Sequence, residues 1–327
     1  MVCPAAFQGR ESGPSTADMI EAVILALVPI VILIALGVLL RKRRFLDDGF
    51  WPQAERLSYY VLLPSLFFHG LATAQLGALP VGSLAVTLIL STLAVAALVV
   101  ALRPLMQLDG PAFTSVFQGS IRFNNYVGVT AAAGLFGAEG IALAAICNAA
   151  IVPTVNTLCV LVFARHGTAK MSGSGIARQL VTNPLVMASL GGVLFQALGL
   201  GLPPGIEPAL RTLGAASLPL GLLCIGAALE FRAARKWVGP VLSASATKFL
   251  AMPLVTLAVA MLVGLEGPAL TTALLFQTLP TASSAYIMSR QLGGDAPLMA
   301  GITAAQTVLA LVAIPLVLIG FTAWIAT

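Results

Sequence analysis

The chain has 327 residues, of which 59% are hydrophobic and only 9% are charged, and its mean hydropathy is +1.00. Because about a quarter of the residues of a soluble domain are charged, these values exclude a water-soluble enzyme, and the apolar content excludes a disordered chain. The net charge of +5 favours orientation in a lipid bilayer over nucleic-acid binding, since the basic residues lie in short loops between apolar runs.

A membrane-spanning helix needs about 20 mostly apolar residues, and the sequence contains enough uncharged segments for ten. We therefore predict an all-α membrane protein. The segment 57–102 is too long for one helix, and the turn-forming sequence at Gly77–Pro80 divides it into spans two and three. The uncharged or nearly uncharged segments are 22–40, 57–102, 110–138, 140–164, 179–206, 212–229, 237–265, 267–289 and 296–327.

The loop charges test this count independently, because cytoplasmic loops collect Lys and Arg. The loops after odd-numbered spans contain most of the basic residues, including the cluster Arg41–Arg44, whereas the loops after even-numbered spans contain Arg211 and three glutamates. We therefore predict a multi-pass protein of the bacterial inner membrane, with both termini on the outer side of the membrane and the basic loops in the cytoplasm. Residues 1–18 are interpreted as a disordered extension, with Met19 as an alternative start. The cysteines have no metal-type spacing, and no cofactor or metal is expected.

Motifs of the first half recur in the second half in the same order. Pro29 and Gly37–Leu39 match Pro184 and Gly192–Leu194 with an offset of 155 residues, and the other pairs are Leu63-Pro64 with Leu218-Pro219, Phe117-Gln118 with Phe276-Gln277, and Pro153 with Pro315. Two halves of five spans each enter the membrane from opposite sides, which makes an inverted repeat. The predicted units are the repeat 19–164, a cytoplasmic linker 165–182 and the repeat 183–327.

Spans four and nine contain the predicted helix breaks and the candidate binding residues. Inverted-repeat transporters bind substrate near the midplane, where two interrupted helices meet. Asn and Ser favour helix caps over helix interiors, and proline removes a backbone donor, so we expect the two breaks to lie side by side. The alternative is a pair of ordinary kinks with nothing bound. The candidate residues are Gln118, Asn124, Asn125, Gln277, Pro280, Thr281, Ser283 and Ser284.

Arg122 and Lys248 are the fixed charges well inside apolar spans, where a charge is costly and usually functional. The Arg122 guanidinium, two residues before Asn124, is suited to two-point binding of a carboxylate. Lys248 is interpreted either as a coupling residue or as a structural ammonium that donates to broken-helix carbonyls or reaches an interface. No Asp or Glu lies in the middle of a span, which argues against cation transport and favours an anionic ligand.

The chain resembles the auxin efflux carrier family, specifically its bacterial members, over nearly its whole length from Met19. The motifs that carry the resemblance are Arg122–Gly128, Asn183–Leu185, Leu218-Pro219, Lys248 followed by Pro253, Pro280–Tyr286 and Gly293–Asp295. The resemblance implies the fold of bile-acid symporters and related antiporters, and substrates that are small organic anions, such as auxins or dicarboxylates like malate and malonate. Plant PIN-formed carriers cross two helices at prolines; Pro280 fits that pattern, but span four has no proline near Asn124.

The main hypothesis is a secondary active carrier of a small carboxylate, a homodimer in the bilayer with proton or sodium coupling. An ion-coupled symporter of the bile-acid type and a passive sensor of the same ligand remain alternatives. An intramembrane hydrolase using Ser65 and His69, which are one helical turn apart, is a weaker alternative because nothing in the sequence orients the histidine.

Overall fold

A computed structural model of the chain describes residues 16–75, 79–168, 184–229, 237–282 and 284–325. Within these ranges the regular structure is helical, with no strand. The helices are α1 (Thr16–Lys42), α2 (Phe50–Leu57), α3 (Leu63–Ala72), α4 (Val81–Met106), α5 (Gly110–Ile121), α6 (Asn125–His166), α7 (Pro184–Ala197), α8 (Ile206–Ala228), α9 (Val238–Ala246), α10 (Met252–Val263), α11 (Gly267–Gln277), α12 (Ser284–Leu292) and α13 (Ala296–Ile325).

Two π-helical turns interrupt otherwise continuous helices. Ser58–Leu62 joins α2 to α3, and Thr247–Ala251 joins α9 to α10. In each case a proline, Pro64 or Pro253, follows the π-helical turn by two residues. Proline cannot donate to the carbonyl four residues earlier and its ring crowds that carbonyl, so a wider turn just before it relieves the clash.

Six described segments are individually long and apolar enough to cross a membrane. The segment Gly110–His166 has 57 residues, which is more than one crossing requires. Inside it Gly137 has φ 57° and ψ −130°, a non-helical conformation that joins two helices within α6. The described residues are thus all-helical, as predicted, and their long apolar segments are consistent with a membrane protein. The segments are Val23–Lys42, Val81–Met106, Gly110–His166, Ile206–Ala228, Val238–Val263 and Ala296–Phe321.

The ends of the predicted units fall partly outside the described ranges. Residues 1–15 of the predicted extension and residues 169–182 of the predicted linker are not described. Helix α1 begins at Thr16, three residues before the predicted start of the first repeat. A polar first turn is compatible with this longer helix, because Asp18 is a favourable residue near a helix N-terminus.

Helices of the two halves pack against each other at glycines. Helix α1 packs on α8, and α3 packs on α7. A methyl group on Gly37 of α1 would overlap the Leu223 carbonyl of α8, and one on Gly192 of α7 would lie 2.8 Å from the Phe68 carbonyl of α3. Small residues at these places let the helix backbones approach closely.

The interior and the exterior of the bundle are both apolar. Large side chains such as Phe117 and Phe276 are fully buried, while Leu262 exposes 87% and Leu105 exposes 78% of its surface. Exposed leucines of this kind on long helices suit a hydrocarbon environment. The buried interior near α5, α6 and α11 contains the interrupted segments described next.

Candidate functional site

The first predicted break is present. Helix α5 ends at Ile121, and α6 begins at Asn125. Between them Arg122 (ψ 161°) is extended, and so is Asn124 (φ −100°, ψ 107°), whose side chain accepts hydrogen bonds from the backbone N–H groups of Tyr126 at 3.1 Å and Val127 at 3.4 Å. An asparagine N-cap thus starts the new helix and makes a proline unnecessary at this position.

The second predicted break follows Gln277, where α11 ends. Residues 279–282 are non-helical, and α12 begins at Ser284. Pro280 and Thr281 are buried there, and the Thr281 N–H donates to Gln306 Oε1 at 3.0 Å. Ser283, which the sequence assigned to the site, lies outside the described residues.

The two breaks lie side by side. The ring centroids of Phe123 and Phe276 are 5.8 Å apart. A methyl group on Gly128, near the start of α6, would lie 3.0 Å from the Phe276 ring and 2.5 Å from the Leu279 side chain. Phe123 and Gly128 at the first break therefore contact Phe276 and Leu279 at the second.

Arg122 connects the first break to α6 and α12. Its Nη1 donates to Asn156 Oδ1 at 3.0 Å and lies 3.5 Å from Met288 Sδ, and its Nη2 lies 3.5 Å from Ser284 Oγ. These partners are neutral, and among the described residues no carboxylate lies within 4 Å of the guanidinium. The half-buried cation therefore retains donors for an anion.

The two matching glutamines do not meet. Gln118 is fully buried and donates through Nε2 to Ser289 Oγ on α12 at 2.8 Å, while its Oε1 is buried without a hydrogen-bond partner. Gln277 instead donates to the Ser91 and Thr92 hydroxyls of α4 at 2.9 and 3.0 Å. Gln118 therefore faces α12, whereas Gln277 ties α11 to α4.

Two further candidates at the breaks present unpaired polar atoms. Asn125 Oδ1 and Thr281 Oγ1 are buried, and neither has a hydrogen-bond partner in the described part of the chain. Such atoms are uncommon in folded proteins, where buried polar groups are nearly always satisfied. Each break thus offers at least one group able to accept or donate a hydrogen bond.

Lys248 lies in the π-helical turn between α9 and α10 and is fully buried. Its Nζ has no hydrogen-bond partner within the described ranges, so the predicted donation to broken-helix carbonyls is not observed there. One turn earlier, Ala244 lies against Gly119 of α5, 3.2 Å from where a methyl group on that glycine would be. The buried ammonium therefore belongs to a helix that packs on the first broken helix.

Sequence reasoning missed several residues of this region. Asn156, Met288, Ser289 and Gln306 all contact candidate residues. Asn156 and Gln306 carry isolated amides within apolar spans, and polar residues at membrane depth are usually functional. That signal was available in the sequence, whereas Met288 and Ser289 carry no signal of their own.

The positions of Ser65 and His69 do not support the intramembrane hydrolase. The Ser65 hydroxyl donates to the Val61 carbonyl of its own helix at 2.8 Å. His69 Nε2 lies 3.8 Å from Glu207 Oε1, which is beyond hydrogen-bond distance, so the carboxylate does not orient the imidazole. No hydrogen bond joins Ser65 to His69 among the described residues, and the serine is therefore not activated as a nucleophile there.

A cavity of about 790 Å³ opens between α3, α6 and α8. His69, Glu139 and Arg211 line it, and Leu218 forms part of its wall. Leu218 lies one helical turn before Gly221, against which the ring of Tyr126 packs closely. The wall of the cavity therefore lies one helical turn of α8 from the residue that contacts Tyr126, near the first break.

Comparison with known proteins decides the general class. The family model described as "Membrane transport protein" matches residues 22–318. The chain belongs to this family of membrane transport proteins. The match confirms the resemblance to auxin efflux carriers, and it covers both breaks, Arg122 and Lys248.

A relative in the same class comes from Methanothermobacter thermautotrophicus (strain Delta H). It is described as an uncharacterized transporter and is 26% identical over 294 residues, which cover 88% of this chain and 94% of that protein. Membership of a family of membrane transport proteins also favours a transport function over an enzymatic one.

Proposed function

We propose that this family member is a secondary active carrier of small organic anions, such as mono- or dicarboxylates or auxin-like acids. The single observation that carries the proposal is Arg122: a half-buried guanidinium at a helix break, held by neutral acceptors, with no carboxylate within 4 Å among the described residues. The binding site at the paired breaks would open alternately to the two faces of the membrane.

The packing of the two halves supports the proposed ten-span inverted repeat. A shift of 155 residues converts Gly37 into Gly192 and Phe68 into Leu223. The contact between Gly37 and Leu223 is therefore the counterpart of the contact between Gly192 and Phe68. Two equivalent contacts, each between one helix of either half, are what a pseudo-two-fold axis generates.

The character of Arg122 favours an anionic substrate. An isolated buried cation is unstable unless it is paired, and a carboxylate can accept two parallel hydrogen bonds from a guanidinium. Asn156 occupies Nη1, and Ser284 lies at the outer limit of hydrogen bonding from Nη2. Binding of a carboxylate would thus neutralise a charge that this part of the protein leaves unbalanced.

Lys248 is the proposed coupling or charge-compensating residue, because it is fully buried and its Nζ has no hydrogen-bond partner among the described residues. A substrate anion and a co-transported proton or sodium ion would change the charge around it. Coupling to sodium would make the protein a symporter of the bile-acid type, which is the second form of the proposal. Uptake measured with and without a sodium gradient, and with and without a pH gradient, separates these forms.

We further propose that the protein is a multi-pass protein of the cell membrane, with both termini outside and the basic loops inside, and that it forms a homodimer. The loop charges support the orientation. This orientation is tested by placing a single cysteine at either terminus of the protein and labelling it in intact cells with a membrane-impermeant thiol reagent. Cross-linking and mass measurement in native-like bilayers test the dimer.

The central experiment measures uptake of radiolabelled malonate, malate and indole-3-acetate by proteoliposomes. Arg122→Gln is expected to lower uptake at least about tenfold, the loss that corresponds to one charge-assisted hydrogen bond, and Arg122→Lys to give an intermediate value because it keeps the charge but loses the two-point geometry. Arg56→Gln, which removes an exposed arginine on α2, is the control. Wild-type uptake by a folded Arg122→Gln protein would refute the assignment, and saturable binding without uptake by the wild type would indicate a sensor.

A further inference from the structure

One side chain connects the two breaks directly. Gln306 lies in α13 and is fully buried. Its Oε1 accepts a hydrogen bond from the Thr281 N–H at 3.0 Å, and its Nε2 donates to the Gly119 carbonyl at 2.9 Å. Because one partner is a donor and the other an acceptor, the orientation of the amide is determined.

Both backbone groups need an outside partner. Gly119 lies within the last four residues of α5, whose carbonyls have no partner inside the helix. Thr281 lies in the non-helical segment between α11 and α12. A buried backbone group without a hydrogen bond costs as much as a lost bond, so Gln306 satisfies one such group in each half of the chain.

The packing around Gln306 holds it in place. Ile302, one turn earlier in α13, lies so close to Gly119 that a methyl group there would be 2.6 Å from its side chain. Helix α13 therefore rests directly on the end of α5, while it also contacts α11 and α12. The amide reaches both breaks from a single position on this helix.

We propose that Gln306 is a positioning residue that links the two breaks, so that the segments 119–124 and 279–282 keep one relative arrangement. It acts on the binding residues through the backbone. Thr281 is adjacent to Pro280, and Gly119 lies one turn before Phe123 and Arg122. The inference does not depend on which compound the protein transports.

The test is hydrogen–deuterium exchange of the purified full-length protein in lipid nanodiscs. Gln306→Met keeps the volume and removes both hydrogen bonds, and we expect about fivefold faster exchange in both segments, the factor that corresponds to about 1 kcal/mol for a hydrogen bond. Thr307→Val is the matched control. It removes the next side chain of the same helix, a buried hydroxyl that donates only to the Thr303 carbonyl of α13.

A second variant separates positioning from general stability. In Gln306→Glu, the protonated carboxyl group has one donor and one acceptor, like the amide, whereas the ionised group only accepts. After correction for intrinsic exchange, the variant should match the wild type at about pH 5 and exchange about fivefold faster in the segment 119–124 at about pH 9, because the carboxylate still accepts from the Thr281 N–H but cannot donate to the Gly119 carbonyl. Should Gln306→Met fail to fold, this variant alone decides.

Four results would overturn the inference. They are unchanged exchange in Gln306→Met, faster exchange at only one segment in Gln306→Met, equal effects of Gln306→Met and Thr307→Val, and exchange in Gln306→Glu that has the same ratio to wild type at both pH values. A change in transport alone tests the proposed carrier function and not this link.

Discussion

Gly37 and Gly192 give the most direct test of how the two halves pack. Each lies within a helix, α1 or α7, and each faces a backbone carbonyl of the other half. A flexible side chain could move aside for an added methyl group, but a helix backbone cannot do so without separating the helices. We therefore expect Gly37→Ala and Gly192→Ala each to destabilise the protein.

The expected magnitude is a difference between two effects. Alanine is about 1 kcal/mol more favourable than glycine in a helix, whereas overpacking a filled interior costs about 1–3 kcal/mol. At Gly37 the methyl group would overlap the Leu223 carbonyl, so the upper half of that range applies, and at Gly192 the separation of 2.8 Å from the Phe68 carbonyl makes the loss smaller. Net losses of about 1–2 kcal/mol and about 0–1 kcal/mol follow.

The control is Gly320→Ala. Gly320 lies within α13, and nothing is within 4 Å of the position of an added methyl group. Only the helix preference acts there, so this variant should be unchanged or more stable by up to about 1 kcal/mol.

Thermal unfolding can be followed with a thiol-reactive fluorophore, because Cys147, Cys159 and Cys224 are free and buried. A Cys3→Ser background leaves these three as the reporting groups. The expected order of Tm is Gly320→Ala at or above wild type, then Gly192→Ala, then Gly37→Ala. If Gly37→Ala melted with or above Gly320→Ala, the close approach of α1 and α8 would be refuted.

Three further substitutions test the site. Asn124→Ala removes the cap of α6 and should lower stability by about 1 kcal/mol, whereas Asn124→Asp keeps the capping oxygen and should lose less; equal Tm values for the two would contradict the capping role. Lys248→Met removes a buried ammonium without a partner among the described residues. Because an unpaired buried charge destabilises the folded state, Tm should stay the same or rise, whereas malonate uptake should fall. A lower Tm with normal uptake would indicate a structural lysine. Asn156→Leu removes the side chain that accepts a hydrogen bond from Arg122 at 3.0 Å, and it should raise the KM for malonate more than it lowers kcat. Asn156→Asp is the comparison, because it supplies a carboxylate that competes with the substrate for the guanidinium. An unchanged KM would show that Asn156 does not position the guanidinium.

Local chemistry made the breaks predictable. Asn124 caps a helix and Pro280 cannot continue one, and each acts within a few residues of its own position. The partners of the glutamines could not be read in the same way. Gln118 and Gln277 occupy matching places in the proposed repeat, yet one bonds to α12 and the other to α4, because the rotation and the neighbours of the two helices differ.

The sequence by itself determined that the chain suits a lipid bilayer, that its fold is helical, where helices stop and that two cations lie inside apolar spans. These features follow from runs of apolar residues and from short-range backbone preferences. Only the tertiary structure decided that Arg122 lies beside Asn156 and Ser284 and that Gln306 joins Gly119 to Thr281. Those contacts connect residues up to 187 positions apart, and which side chains meet across such distances depends on the rotation and packing of whole helices.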